Sequence, residues 1–583
     1  MKLYETHKNE HESLLLTLLG LSGRIGLIKL GLLPIVVAML VFALRGGVNP
    51  LLLSFTGVAL LGFILLWIYH SKIHEKIDYS QGIIEICKRH EAREQGTWVF
   101  FPDNGAEFAD RDHAYSADLD IVGNKSLFQW INTTHTIHGR QRLSADLLKQ
   151  EYIPNEIELR QDAVSELSDD TLQQCDMEYK FGQIGISKGD LSVELSKNNP
   201  FIANKKAKYA LLSLPILTLG FVILSLIMQN YLIMAMVFTV QGIVGLIAAI
   251  KTTAYFGAVS GLPYRMAAYG EVIETLMSYK YKSKLLRSQQ KILKGSLVGM
   301  KRLGRIVAAV NLRHNQILWG MLNILLLWDI FTAIRLEAWK REFAHLAADW
   351  FEALGEYEAL LSLSILPNVC DLTCLPSISN DNTIAASSLG HPLIPNHKRV
   401  VNDMDLYAGI FIISGSNMSG KTTFLRTVGI NMVLAKAGSY VCASEMSFPL
   451  IDIYTSMRIS DDLNEGISTF YAELRRIKCI IEAASEFTVL FLIDEIFRGT
   501  NSIDRLAGAR AVLDKLDKQG ASGIITTHDL DLCKIADTNE RILNYGFSET
   551  YANNEIHFDY KINPGMSIST NAKYLMRIIG IEA

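Results

Sequence analysis

The run Gly415-Ser416-Asn417-Met418-Ser419-Gly420-Lys421-Thr422-Thr423 follows an apolar stretch, Ile410–Ile413, and leads into a helix-like segment, Thr423–Leu434. It fits GxxxxGK[ST], the Walker A pattern of a phosphate-cradling loop. Gly415 and Gly420 permit turns that aim successive backbone N–H groups at one anion. The following helix adds the positive end of its dipole. In this pattern Lys421 reaches the β- and γ-phosphates of a nucleotide, and the Thr422 hydroxyl ligates Mg²⁺. The strand–loop–helix setting separates a working loop from a chance match.

Further along, Val489–Ile493 is a continuous apolar run, as a parallel strand covered on both faces requires, and it ends at Asp494-Glu495. An acid at that strand end can hold the Mg²⁺ shell, and its neighbour can activate water. Ser522–Thr527 reads as a third strand ending at His528, where an imidazole can sense the γ-phosphate or position the attacking water. Between these elements, Gly466-Ile467-Ser468-Thr469-Phe470 precedes a helical run, Tyr471–Ala484. Hydroxyls at a helix N-terminus bind phosphate. The site already has its own loop, so Ser468 is either an ordinary helix cap or a contact to the nucleotide of a second copy.

These residues sit in a chain of 583 residues whose mean hydropathy is +0.19, high for a water-soluble enzyme. The excess lies in paired runs. Leu30–Leu44 and Leu51–Tyr69 carry no charge and flank a tight turn, Arg45–Pro50. Tyr209–Met228 and Tyr231–Ile250 are joined by Gln229-Asn230. Spanning a bilayer takes about 20 apolar residues, so two transmembrane hairpins are expected, the first run needing tilt or its flanks. Arg24, Lys29, Lys72, Lys76, Lys205, Lys206, Lys208 and Lys251 lie outside the turns, which apart from Arg45 carry no Lys or Arg. The positive-inside rule therefore puts both termini and the large segments in the cytoplasm. Ile317–Trp328 is too short to span and reads as the buried face of a long helix.

Lys+Arg 56 against Asp+Glu 60 leaves a net charge of −4, so no global basic field marks a nucleic-acid binder. Local charge is different. From Lys280 to Arg313 there are ten basic residues and no acid: Lys280, Lys282, Lys284, Arg287, Lys291, Lys294, Lys301, Arg302, Arg305 and Arg313. Leu285, Leu286, Ile292, Leu293, Leu297, Leu303, Ile306 and Val307 interleave at near-helical spacing. Such a helix face suits a phosphate backbone, or anionic lipid, or it is simply solvated. Seven cysteines without a CxxC pair argue against a disulfide framework or a zinc site and for a reducing compartment.

Taken together, Gly415–Arg426, Ser468-Thr-Phe470, Asp494-Glu-Ile-Phe-Arg-Gly-Thr-Asn501 and Thr527-His528 resemble the MutS family of mismatch-repair ATPases, within the ABC-type class. Gly390-His391-Pro392, Asn402-Asp403 and Asp461-Asp462-Leu463 add to the resemblance, the Asn417-Met418 pair being more specific than the loop pattern itself. Asp118-Leu-Asp-Ile121, Lys125-Ser-Leu127, Thr134-His-Thr136, Gly139-Arg140 and Arg160–Leu167 look like that family's helical core. The resemblance implies that Gly415 to Thr423 bind ATP, that Thr422 and Asp494 hold Mg²⁺, that Glu495 activates water, and that His528 is a switch residue. It also implies a homodimer in which Ser468 serves the opposite subunit. Nothing resembles the mismatch-reading domain, and Phe497 replaces a residue that is usually small.

The expected fold is multidomain: membrane helical hairpins, an all-α core and a C-terminal α/β P-loop NTPase domain of ABC type. The expected division is 1–114 with the first hairpin, 115–375 with the second hairpin inside the helical core, and 383–583, with a loop-like boundary at Pro376–Asn382. A strand hairpin is expected over Arg541–Tyr551 and Glu555–Ile562. The expected function is a multi-pass ATPase of the cytoplasmic membrane, its ATPase domain on the cytoplasmic side, that dimerises and binds DNA. The alternative is an ATP-gated membrane scaffold or transporter-like protein without a nucleic-acid ligand.

Overall fold

The computed structural model describes residues 2–45, 50–185, 205–256, 263–406, 409–458, 469–497, 502–552 and 555–567. Ser468, Asp461–Leu463 and Arg498–Asn501 lie outside them. Two long helices open the chain, α1 (Lys2–Arg45) and α2 (Pro50–Gln95). They run antiparallel, because Leu18 and Ile25 pack with Ile73 and Ile77, while Tyr4 packs with Ile83, Ile86 and Cys87. Each apolar run thus continues without a break into a polar half.

The polar halves dock on the helical core, which contains α3 (Ile137–Leu148), α4 (Pro154–Ser168) and α5 (Thr171–Ile184). Tyr4 donates its hydroxyl to Gln174 at 3.0 Å, and Tyr79 donates to Asp176 at 3.1 Å. Thr136 and Asp170 cap α3 and α5, their side chains accepting from Gly139 N and Gln173 N. A side-chain oxygen there satisfies one of the orphan amides of a first helical turn.

A second hairpin follows, α6 (Lys205–Ile227) and α7 (Tyr231–Phe256). Among the described residues, four helices are long and apolar enough to cross a membrane: Leu3–Met39, Ser54–Gln95, Lys208–Ile227 and Tyr231–Thr253. The chain then forms α8 (Pro263–Ser278), α9 (Lys284–Leu293), α10 (Ser296–Asn311), α11 (Gln316–Leu326) and α12 (Trp328–Leu363).

One expectation fails here. Ile317–Trp328 is not the buried face of a long helix. It is a separate helix, α11, broken from α12 at Leu327, where φ is +50° and the axis bends by 82°. Ile317 is 79% exposed and Met321 55%. Apolar composition alone does not decide whether a helix is buried in protein or exposed.

The C-terminal part is α/β. Its main sheet has six strands in the order β10-β9-β4-β8-β7-β6. These are β4 (Ile410–Ser414), β6 (Asp452–Ser456), β7 (Val489–Asp494), β8 (Ser522–Thr527), β9 (Ile542–Ala552) and β10 (Glu555–Pro564). β4, β6, β7, β8 and β9 are mutually parallel, and the expected hairpin is the antiparallel β9–β10 pair. Every residue of β4, β7 and β8 is buried, as central parallel strands require. The covering helices include α13 (Lys421–Lys436), α14 (Thr469–Glu486) and α15 (Ser502–Lys518). A smaller mixed sheet joins β1 (Ser377–Ile378), β5 (Glu445–Phe448), β2 (Ile384–Leu389) and β3 (Asn402–Leu406). The expected boundary loop therefore contributes a short strand, Ser377 pairing with Ser447.

Core and α/β part are locked together by buried polar contacts. Asp118 accepts from Thr455 Oγ1 at 2.7 Å and from the Met457 and Arg458 amides. Arg160 donates to the carbonyl of Ala437, just past the C-terminus of α13, at 2.8 Å.

Candidate nucleotide site

Parallel β-structure places its functional edge at the strands' C-terminal ends. Here the register sets Ser414 beside Thr527 and Asp494 beside Thr526, so β4, β8 and β7 end side by side. The loop from β4 to α13 crosses this edge. Gly420 takes φ +109°, a conformation that residues with side chains avoid, and serves as the N-cap of α13. A glycine cap supplies no side-chain acceptor, so the first-turn amides of α13 point their donors at the cavity.

The predicted side chains converge. Lys421 is buried and donates to the carbonyls of Gly415 at 2.8 Å and Ser416 at 2.9 Å, with His528 Nε2 3.3 Å away. Thr422 Oγ1 donates to Asp494 Oδ2 at 2.8 Å. The other carboxylate oxygen, Oδ1, accepts from Thr526 Oγ1 at 2.6 Å. Glu495 Oε1 lies 2.5 Å from His528 Nε2, and the Glu495 amide rests on Thr526 Oγ1 at 3.1 Å. The Glu495 backbone sits at φ +54°, which swings its side chain out of the strand line toward His528.

Around them is a cavity of about 870 Å³, lined by Asn417, Met418, Ser419, Gly420, Lys421, Thr422, Thr423, Asp494 and Glu495. Met418 stands at its lip, 86% exposed. Ser416 is instead turned away, donating to Glu549 at 2.8 Å. Gly415 and His528 touch the site through Lys421. Of the residues assigned to the site from sequence, only Ser468 lies outside the described ones.

The cavity has a second wall that sequence spacing did not assign: Leu389, His391, Ile394, Lys398, Val400, Phe547 and Tyr560. Burial, with Arg426 and Arg399 nearby, pushes the His391 imidazole down to about 3, so it is neutral at physiological pH. Asn402 fixes this wall, donating to the Tyr560 carbonyl at 3.0 Å and accepting from the Ile562 amide at 2.9 Å. Thr526 was also missed. It holds Asp494 and Glu495 together, and the only hint was its place just before Thr527-His528.

The residues fit a Mg-nucleotide. The buried Ser419 hydroxyl has no hydrogen-bond partner among the described residues, and the Lys421 ammonium rests on the Gly415 and Ser416 carbonyls of its own loop, beside His528. The hydroxyl–carboxylate pair of Thr422 and Asp494 is a hard-oxygen donor set suited to Mg²⁺.

Phe497 is accommodated by its surroundings. It is buried against Phe470, ring centroids 5.8 Å apart, and against Gly508. A Cβ on Gly508 would stand 2.7 Å from the Phe497 ring, so α15 leaves the room that a small residue in the motif would otherwise leave.

The proposed DNA-contact residues lie on α9, α10 and the segment before them. Lys280, Lys282, Lys284, Arg287, Lys291, Lys294 and Arg305 are exposed and have no ion pair among the described residues. Lys301 and Arg302 pair with Glu274 and Glu342, acids from other helices, at 3.4 and 2.6 Å. Arg313 is not on this face. It pairs with Asp329 at 2.8 Å.

A strand–loop–helix cradle, an acid at the end of β7 two strands away and a mainly parallel sheet define a P-loop ATPase-like α/β unit. Residues 411–581 match the family model described as MutS domain V. The DNA mismatch repair protein MutS of Lactobacillus delbrueckii subsp. bulgaricus is 34% identical over 216 residues, covering 36% of this chain and 25% of that protein. DNA mismatch repair protein MutS 2 of Haloarcula marismortui is 30% identical over 280 residues, 44% of this chain and 29% of that one. MutS of Shouchella clausii is 30% identical over 264 residues, 44% and 30%. Through this domain V region the chain is similar to the MutS family. It matches only about a quarter to a third of the length of these relatives.

Proposed function

We propose that this chain is a membrane-anchored, MutS-like ATPase of the ABC type that hydrolyses ATP at sites shared between two copies and binds DNA. One observation carries the reading: Thr422, Asp494 and Thr526 form one hydrogen-bonded chain directly beside the Glu495–His528 pair, at the edge of the cavity in the MutS domain V region. In this reading Lys421 leaves the Gly415 and Ser416 carbonyls for the β- and γ-phosphates. Ser419 and the first-turn amides of α13 hold the same phosphates, while Thr422 and Asp494 hold Mg²⁺. The metal, when bound, neutralises charge on the phosphate oxygens. Glu495 accepts the proton of the attacking water, and His528 orients Glu495 and senses the γ-phosphate. The wall of Leu389, Val400, Tyr560 and neutral His391 receives the base. Ser468 reaches the partner's nucleotide.

The apolar hairpins support a multi-pass position in the cytoplasmic membrane with the ATPase unit on the cytoplasmic side. The three-part division, 1–114, 115–375 and 383–583, belongs to the same reading. Purified full-length chain in lipid nanodiscs should hydrolyse ATP only with Mg²⁺. Glu495→Gln should lower turnover at least ~100-fold, the usual range for a general base, and still bind ATP and trap a dimer. Turnover near the wild-type rate would remove Glu495 from its role.

A second reading, an ATP-gated membrane scaffold or transporter-like protein, is favoured by the ion pairs of Lys301 and Arg302, which reduce the free charge of the basic face. Replacing Lys280, Lys282, Lys284 and Arg287 with Glu separates the two. Salt-sensitive DNA binding and DNA-stimulated turnover should be lost in the first reading; in the second, neither occurs in the wild type.

A further inference from the structure

The second hairpin has a third companion. Arg313, just before α11, donates to the Ala249 carbonyl at 3.0 Å and to Thr252 Oγ1 at 2.6 Å, near the C-terminal end of α7. Deeper along α7, the Asn323 carbonyl lies 3.3 Å from where a Cβ of Gly245 would stand. Deeper still, Gln241 Nε2 donates to the Leu325 carbonyl at 2.9 Å. α11 therefore descends α7 antiparallel, from the level of Thr252 to that of Gln241. That is ~16 Å at 1.5 Å per residue, half of a hydrocarbon core of about 30 Å. The chain turns at Leu327 and returns as α12. Ile330 and Ile334 pack with Ala248, Val244, Leu211, Leu212 and Leu214, and Lys340 reaches the Tyr255 ring, 5.3 Å from its centroid.

The turn is built for a place without water. Gln241, 1% exposed, satisfies an end carbonyl of α11, and its own oxygen accepts from Thr218. Asn323 accepts from the Asp329 amide at 3.1 Å and donates to the Trp319 carbonyl at 3.2 Å. The Asp329 carboxylate, 1% exposed, is enclosed by Arg313 and the Trp319 indole. Non-helical backbone at membrane depth survives only with such internal partners. Meanwhile Ile317, Met321, Ile324 and Leu326 are 44–79% exposed, in line with the exposed apolar side chains of α6 and α7 such as Ile216 and Leu246.

We propose that α11 and the first turns of α12 form a re-entrant membrane element, entering and leaving on the ATPase side, its outer face covered by lipid acyl chains. The inference rests on the membrane anchoring proposed above, and the test separates the two. In the full chain carrying Cys479→Ser, bimane is attached at Ile317→Cys, at Ile324→Cys or, in the hairpin, at Ile223→Cys. Each protein is reconstituted in phosphatidylcholine vesicles containing lipids with a nitroxide at acyl carbon 5 or 12. The shallow nitroxide should quench the label at 317 more, and the deep one the label at 324. His314→Cys and Arg341→Cys should both react with a membrane-impermeant maleimide from the ATPase side. Quenching at 223 without quenching at 317 or 324 overturns the re-entrant element and leaves the anchor standing; no quenching at any site overturns both. Reaction of 314 and 341 from opposite faces makes α11 a crossing helix, and disulfide crosslinking of Met321→Cys between copies without lipid quenching makes a second copy its cover. Either result overturns the proposal.

Discussion

Arg160 on α4 is the strongest single test of how the helical core holds the nucleotide unit. Its side chain is 2% exposed and pairs with Glu356 at 2.6 Å and Asp146 at 2.5 Å. Its Nε reaches the Ala437 carbonyl beyond α13. Arg160→Met keeps the volume and removes the charge. Taking one partner from a buried ion pair costs about 3–5 kcal/mol. Arg142 also contacts both acids but is 40% exposed, so it offsets part of that loss, and we take the lower figure. The lost bond to Ala437 adds about 1 kcal/mol. The expected destabilisation is thus about 4 kcal/mol. Urea unfolding in detergent micelles, followed by tryptophan emission, reads it directly, because Trp130, Trp339 and Trp350 are buried in the same core. Adding Asp146→Asn and Glu356→Gln should recover most of the loss, since the uncompensated charges are then gone. A shift below about 1 kcal/mol in the single variant would refute the account of this triad.

Three further outcomes follow from the geometry. Thr526→Val leaves the buried Asp494 Oδ1 without its donor and should raise the Mg²⁺ concentration for half-maximal turnover about tenfold, a cost near 1.4 kcal/mol; an unchanged Mg²⁺ titration would sink that role. Burial lifts the Glu358 carboxyl from 4.5 to about 7, against hydrogen bonds from Thr136 and the His135 amide. Its folded value is raised, so its stabilising share is full below about 4.5 and lost as pH rises through 7. Unfolding at pH 6 and pH 8.5 should show the protein weaker at the higher pH, by about 1.4 kcal/mol, one pH unit's worth, and Glu358→Gln should flatten the difference. Gly508→Ala puts a Cβ 2.7 Å from the Phe497 ring and should cost about 1–3 kcal/mol in thermal unfolding. Phe497→Leu in the same chain should relieve it.

The parts legible in sequence were those whose physics is local. Ile410–Ser414, Val489–Asp494 and Ser522–Thr527 are continuous apolar runs because they become central parallel strands, and the second ends on Asp494, whose carboxylate lines the cavity. The loop signalled itself through glycine and lysine spacing. Tyr560 and Val400 carried no such sign, because the second wall comes from a distant hairpin and from the smaller sheet's connection, brought together only by tertiary packing. The break at Leu327 was silent for another reason. Leucine has no preference for φ +50°, and its conformation is imposed by the bonds of Asn323 and Gln241 around it. The basic segment falls on α9, α10 and the residues before and between them rather than on one helix, and the acids that pair with Lys301 and Arg302, Glu274 and Glu342, belong to other helices.

The 36 residues of α12 form one uninterrupted helix. Asp329, near one end, is clasped by Arg313 and Trp319, while Glu356, near the other, is clasped by Arg160 behind the phosphate loop's helix. About 40 Å of stiff rod separates the two grips. A swing of about 5° at the Glu356 grip becomes ~3.5 Å at the Asp329 grip, more than the length of any bond in that clasp. Any rearrangement around the cradle large enough to tilt this rod must therefore carry the knot around Asp329 along as one solid piece, or untie it.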